Sequence, residues 1–278
     1  MRKLLTLSGL TFTIVLAAAA AKAQVESHEI ADVLDRAKAR GKLVACADKF
    51  TFPYAAEGVK PGFDVEIIGE IAKLGGMSLE MFWADTGTRG GTSRAFRNSI
   101  LKDRCDVFVG LSDGGDDGML MGELAFTRPH VGMGYVLVVQ GKAAGMTTLD
   151  EIRAANIKVG VMMSTPIDDY LYTNKISREL FLDNRRLMRS MANDEIDAGL
   201  VWGPAISVAR REFSNAKFQM VPGYVPEPGH RFNLNFVVRK QDKSMMEFIN
   251  KGIGELLANG KIKQIVESYN VPFYPPFS

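Results

Sequence analysis

Residues 110–118 read GLSDGGDDG and gather three carboxylates, Asp113, Asp116 and Asp117, among glycines with no arginine. They follow the apolar run CDVFVG (105–110), which reads as a buried strand. The end of such a strand is where open α/β folds place their ligands. An acidic cluster can hold a hard cation, but the D-x-D-x-D-G spacing and distant Glu of a calcium loop are missing. Besides that cation, two readings stand: a solvated glycine turn whose Asp side chains cap backbone groups, or a contact for an organic cation or a partner protein. The three histidines, His28, His130 and His230, have no metal-ligand spacing. Neither a G-x-S-x-G elbow nor a glycine-rich dinucleotide loop occurs, so the motifs support no catalysis, metal or cofactor.

Cys46 and Cys105 are the two cysteines. Both fall on predicted strands, Cys46 late in the first and Cys105 at the start of another. An oxidising compartment permits a bridge, yet an offset between parallel neighbours works against disulfide geometry. A disulfide and two buried thiols both stay open.

The 278 residues, 46% hydrophobic and 24% charged, suit one large core or two smaller ones. At the N-terminus, MRK, an apolar stretch and AKA (21–23) have the arrangement of a secretory signal peptide over 1–23, with the mature chain starting near Gln24. That leader carries Arg2, Lys3 and Lys22 and no acid, so the mature chain has slightly more acids than bases. No basic patch points to nucleic acid, and no later apolar run is long enough to span a bilayer.

The elements that must hold the candidate residues follow from periodicity. KLVACAD (42–48), SLEMFWA (78–84), CDVFVGLS (105–112), YVLVVQ (135–140), IKVGVMM (157–163) and LNFVVRKQD (234–242) read as strands. Residues 64–76 read as a helix with Ile67, Ile68, Ile71 and Leu74 on one face, stopped by Gly75-Gly76. Residues 92–104 read as a second helix. Thr148 with Glu151 predicts a capping box. Thr165 predicts an N-cap, with Pro166 at the first helical position and Asp168-Asp169 in the first turn. A strand then a helix opened by Pro204 follow within 193–213, and one or two helices occupy 243–271. Alternating strands and helices with short connections indicate a parallel α/β sheet, in two similar half-domains.

This order, with KLVACADKFTFPYA, KPGFDVEIIGEIAKLGG, AFRNSILKDRCDVFVG, IKVGVMMSTPIDDYL and LANGKIKQIVESY, resembles the type II (amino-acid-binding) superfamily of periplasmic solute-binding proteins. The resemblance covers about 40–271. Cys-Ala-Asp at 46–48, Phe96-Arg97-Asn98 and the Val-Trp-Gly-Pro of EIDAGLVWGP (195–204) are similar to one branch, the Mxa/Xox J-type accessory proteins of quinoprotein methanol dehydrogenase. The fold implied is α/β and two-lobed, with two crossing hinge strands near 133–139 and 229–236. Lobe 1 would comprise 24–136 and 234–278, and lobe 2 residues 137–233. The function implied is a periplasmic, non-catalytic accessory protein whose partner is a PQQ-dependent alcohol dehydrogenase. The alternative is the solute-binding subunit of an ABC-type importer for a small organic ligand. A dehydratase-like enzyme is a third reading, since the superfold includes such enzymes.

The superfamily's carboxylate clamp is an arginine after the DVIIAG-type strand together with backbone N–H groups at a helix start in the other lobe. The arginine is absent here, and Arg128 comes too late in the chain to replace it. At the helix start, Pro166 removes one N–H, and Asp168 and Asp169 occupy the positive end of the dipole. The cleft is therefore expected to disfavour small anions. Candidate cleft residues are Asp48, Phe52, Tyr54, Phe63, Ser112, Asp113, Asp116, Thr165 and Trp202. Phe63 has a competing reading as a core residue at the helix end. Trp202 stands where the family places an acid, and either fills the cleft or stacks on a flat ligand. The proline- and aromatic-rich C-terminus, YNVPFYPPFS, either packs back across a lobe or forms part of a docking face.

Overall fold

The computed structural model describes residues 32–113 and 122–278. The expected signal peptide and Asp116 lie outside the described residues. In chain order the elements are α1 (Val33–Ala39), β1 (Lys42–Ala47), the short hairpin β2 (Phe50–Thr51) and β3 (Ala55–Ala56), α2 (Phe63–Leu74), β4 (Ser78–Trp83), α3 (Gly91–Asn98), β5 (Val107–Ser112) and β6 (Leu124–Phe126). Next come β7 (Val131–Val139), α4 (Leu149–Ala154), β8 (Val159–Met162), α5 (Pro166–Thr173), β9 (Arg178–Phe181), α6 (Asn184–Ala192), β10 (Ala198–Trp202) and α7 (Gly203–Glu212). The chain closes with β11 (Gln219–Met220), β12 (Arg231–Arg239), α8 (Lys243–Ala258) and α9 (Lys261–Ser268).

The main sheet runs β4-β1-β5-β12-β7-β10-β8-β9, with β6 on β12 and β11 on β7. Pairing is parallel for β1 with β4 and β5, and for β8 with β9 and β10. It turns antiparallel at the centre. Residues 131–134 of β7 pair with β12, while 135–139 pair with β10. One strand thus belongs to both halves of the sheet, as expected for a crossing strand.

Strands covered on both faces read as continuous apolar runs, and β7 shows why. Val136 and Val138 join the core under α6 and α7, whereas Leu137 and Val139 join the core under α4 and α5. Successive side chains point to opposite faces. The other half is built alike. Ile67, Ile68 and Ile71 of α2 pack with Phe236, Ile249 and Val266 on one face, and Phe96, Ile100 and Phe108 pack on the other.

Helix α3 is shorter than the predicted helix: it ends at Asn98, and a 3-10 turn takes Ile100–Lys102. Cys105 lies in the turn before β5 rather than in the strand, so the strand-offset argument does not apply to it. Cys46 and Cys105 are joined, with Cα atoms 5.7 Å apart. The buried Arg239 guanidinium donates to the carbonyls of Ile100 and Cys105 and pairs with Asp242, satisfying that turn from the opposite side. Elements not anticipated from periodicity are α1, α6 and the strands β2, β3, β6, β9 and β11.

Two long-range connections fix the centre. Asp64, in the first turn of α2, is fully buried. One carboxylate oxygen shares a 2.7 Å hydrogen bond with His130 Nε2, and the other accepts from the Gly110 N–H at 3.0 Å. The C-terminal segment is the second. The Gly132 N–H donates to the Tyr274 carbonyl, Asn233 exchanges two hydrogen bonds with the Phe277 backbone, and Tyr274 Oη donates to the Tyr224 carbonyl. Val271 is buried in the α2–α8–α9 core, whereas Tyr274 packs against the α6–α7 core.

Replacing Asp64 by Ala strands His130 and the Gly110 N–H in a dry interior. Leaving buried polar groups unpaired costs about 1–3 kcal/mol for each, so urea denaturation should show a midpoint lowered to match. Truncation after Val271 removes the contacts to both cores, and thermal melting should fall by several degrees. An unchanged melt would mean that the tail packing contributes nothing.

Candidate functional site

The first loop is shaped by its own backbone before any ligand. The N–H groups of Phe63 and Asp64 donate to the carbonyls of Pro53 and Tyr54, at 2.9 and 3.1 Å. This docks the loop onto the start of α2. Gly62 has φ of 100°, and a Cβ there would lie 2.2 Å from the Tyr54 carbonyl oxygen, so only glycine fits. Asp48 is used inside the same loop. It accepts from the Phe50 N–H, the Thr86 N–H (both 2.9 Å) and the Thr86 hydroxyl. Burial opposes its charge, but these hydrogen bonds hold the Asp48 carboxyl below the usual carboxylate range.

Several expected cleft residues therefore sit elsewhere. Asp48 is a loop staple. Phe63 is fully buried, with its ring 5.2 Å from that of Tyr54, because the first residue of α2 points into the core. Asp113 is tied to the crossing strand: its carboxylate accepts from the Asn233 N–H at 2.7 Å, and its own N–H donates to the Asn233 carbonyl. Phe52 turns aside to a separate groove, where the Arg211 guanidinium lies 4.4 Å from its ring centre.

The residues that do converge are Tyr54, Ser112, Thr165 and Trp202. Trp202 ends β10, and its Nε1–H donates to Tyr54 Oη at 3.0 Å, reaching from one half of the sheet to the other. Its indole packs against the core of the first half. Gly203 and Pro204 set this direction: Pro204 starts α7, and a Cβ on Gly203 would crowd the Gly134 carbonyl at 3.2 Å. Burial pushes the Tyr54 phenol up, partly offset by the Trp202 hydrogen bond.

Beside Trp202 lies a cavity of about 280 Å³ lined by Ser112, Tyr135, Met162, Asn184, Trp202 and Phe232. Its walls are aromatic: Tyr135 meets Trp202 edge-on at 5.6 Å, and Phe232 lies 6.0 Å from it. Among the described residues no charged group lines it. Burial raises the Tyr135 phenol, against a hydrogen bond with Thr165. Asn184 has a buried Oδ1 with no hydrogen-bond partner. Tyr135 and Phe232 were hidden in the sequence because they sit on crossing strands that read as core. Met162 and Asn184 carry no signal of their own.

Opposite, α5 has its N-terminus already filled. Thr165 Oγ1 accepts from the Asp168 N–H at 3.3 Å, and the Asp168 carboxylate accepts from the Ser164 N–H at 3.0 Å and pairs with Arg178 at 2.5 Å. Arg128 lies far from the cavity, exposed beside Gly254 of α8. Among the described residues no group of three or more His, Cys, Asp or Glu is gathered around a metal position, and no helix is long and apolar enough to cross a membrane.

No protein-family model matches the chain, and no curated protein sequence matches it. Solved structures do. The L-cystine solute receptor of Neisseria gonorrhoeae, in its unliganded open conformation, aligns with TM-score 0.69 at 14% identity over 85% of this chain and 96% of its own. The second substrate-binding domain of a putative amino acid ABC transporter from Streptococcus pneumoniae gives 0.64 at 19% identity over 82% and 99%. An ancestral cyclohexadienyl dehydratase gives 0.66 at 16% identity over 87% and 98%. The chain has the two-lobed type II fold of periplasmic binding proteins.

Tyr54→Phe leaves the Trp202 N–H unpaired at the bridge. A loss of about 1–3 kcal/mol should appear in urea denaturation. In a Trp83→Phe background, the fluorescence of Trp202 should shift to the red. An unaltered emission maximum would mean that the bridge does not hold the indole.

Proposed function

We propose that this chain is an exported, non-catalytic binding protein that captures a small neutral or cationic organic solute, as the receptor subunit of an importer does. Its lobes would be 24–136 with 234–278, and 137–233, and its location the periplasm. The observation that carries the reading is the cavity of about 280 Å³ between the crossing strands and Trp202, walled by three aromatic rings with no charged group among the described residues. Such a surface takes up apolar or cationic groups through stacking and cation–π attraction. Among the described residues it offers no cation to a carboxylate, and Asp168 occupies the helix end where an anion would sit. The similar receptor and transporter domain support solute capture as the general role. The likeness to the ancestral dehydratase adds no support for catalysis, since among the described residues Tyr135 is the one ionisable residue lining the cavity.

A second reading rests on the Trp202–Tyr54 bridge. An indole that fills the space between the lobes and closes it with a hydrogen bond suits a protein that presents its surface to a partner. The partner implied by Cys-Ala-Asp and Val-Trp-Gly-Pro is a PQQ-dependent alcohol dehydrogenase, which this chain would serve as a periplasmic accessory.

Calorimetry against the standard L-amino acids and against choline-like quaternary ammonium compounds tests the first reading. No amino acid should reach a Kd near 1 μM, which needs about −8 kcal/mol; tight binding of a neutral or acidic one would overturn it. Capture of the tagged protein from periplasmic extract separates the two. Recovery of a quinoprotein dehydrogenase, with no heat from any solute, would establish the accessory role instead.

A further inference from the structure

We propose that the groove between the β2–β3 loop and helix α7 is a second binding site, and that it takes a small organic polyanion. The groove has a volume of about 560 Å³ and is lined by Phe52, Lys60, Ser207, Arg211, Tyr269 and Asn270 among others. That size suits a small organic ligand.

Its chemistry is opposite to that of the aromatic cavity. The Arg211 guanidinium carbon sits over the Phe52 ring, 4.4 Å from its centre. Stacking occupies the face of a guanidinium and leaves the N–H edge free for a bidentate acceptor. Neighbouring Arg210 shows what a structural arginine does at the same helix end: it donates to the carbonyls of Ala216 and Phe218. No carboxylate or carbonyl among the described residues receives Arg211.

The Lys60 ammonium lies 5.4 Å from the Tyr269 ring centre, and its one hydrogen bond is a long one, 3.5 Å, to the Ser268 carbonyl. Ser207 is buried on α7 and faces the groove, and Asn270 closes its floor just beyond α9. Two cations, a hydroxyl and an amide therefore point at one space. One acid, Glu57, also lines the groove, where it is paired with Lys49 at 3.2 Å, and Glu66 nearby accepts from the Tyr269 hydroxyl at 2.5 Å. The local charge is positive in a chain that is nearly balanced overall.

The donors come from both lobes, Lys60 from the first and Ser207 and Arg211 from the second. An anion held between them would draw α7 toward the first loop, next to the Trp202–Tyr54 bridge. The site uses none of the residues that line the aromatic cavity, so it stands or falls separately from the solute reading.

The test is calorimetry at low ionic strength with citrate, phthalate and inorganic phosphate. The proteins are wild type, Arg211→Gln, Lys60→Gln, the double variant, and Lys251→Gln as a cation elsewhere on the surface. Arg211 and Lys60 are both exposed, so the variants should keep the wild-type melting temperature. Citrate or phthalate should bind in the sub-millimolar range. Each single substitution should weaken binding about tenfold or more, the loss of a charged hydrogen bond, and Lys251→Gln should not. Added salt should weaken it further. The proposal is overturned if none of the three anions binds at millimolar concentration, if phosphate alone binds, or if the double variant binds citrate as well as wild type.

Discussion

The buried carboxylate of Asp64 is the constraint from which the rest of the centre follows. A charge-bearing group with no solvent contact is tolerable only when its oxygens are occupied. Here they are occupied by two distant parts of the chain, Gly110 within β5 and His130 just before β7. Helix α2, the first half of the sheet and the crossing strand are thereby held at one point. The backbone of the same first turn receives the loop containing Tyr54. Where Tyr54 stands when Trp202 reaches it is thus set partly by Asp64, whose N–H holds the Tyr54 carbonyl.

Local regularities were legible in the sequence wherever a periodicity or a cap decided them. The Ile67-Ile68-Ile71 face of α2, the Thr148–Glu151 capping box and the Thr165 cap with Pro166 behind it stand where the pattern put them. The directions of loop side chains were not legible, because closure against distant backbone fixes them. Asp48 turns inward since Thr86, 38 residues away, offers it two donors. Phe63 turns inward since its place at the head of α2 faces the core. Tyr135 and Phe232 escaped notice for the opposite reason. Their strands look like core from end to end, and only the change of partner along β7, from β12 to β10, leaves a gap beside them.

The same logic explains how one fold supports different clefts. The type II architecture places a strand end, a helix N-terminus and a first loop around a shared space. The occupants of those three places decide the chemistry. Here the strand end carries Trp202, the helix end carries its own carboxylate, and the loop contributes Tyr54. Trp202 and Tyr54 carry no charge that needs a counter-ion, and Asp168 already has one in Arg178. A general likeness of fold therefore says little about the ligand.

Magnitudes decide what governs separation of the lobes. One neutral hydrogen bond such as Trp202–Tyr54 contributes only about 0.5–1.5 kcal/mol net, far below the roughly 8 kcal/mol of a micromolar ligand. The bridge orients the indole but cannot by itself keep the cleft shut. The C-terminal segment is better placed to do so. It is anchored at Val271 in one core, pairs with β7 at Gly132 and with β12 at Asn233, and sinks Tyr274 against the other core. Its prolines restrict the backbone before docking, which lowers the entropic cost of holding it there. Any motion of one lobe against the other must shear these contacts together, so the stiffness of the hinge resides in the tail rather than in the cleft.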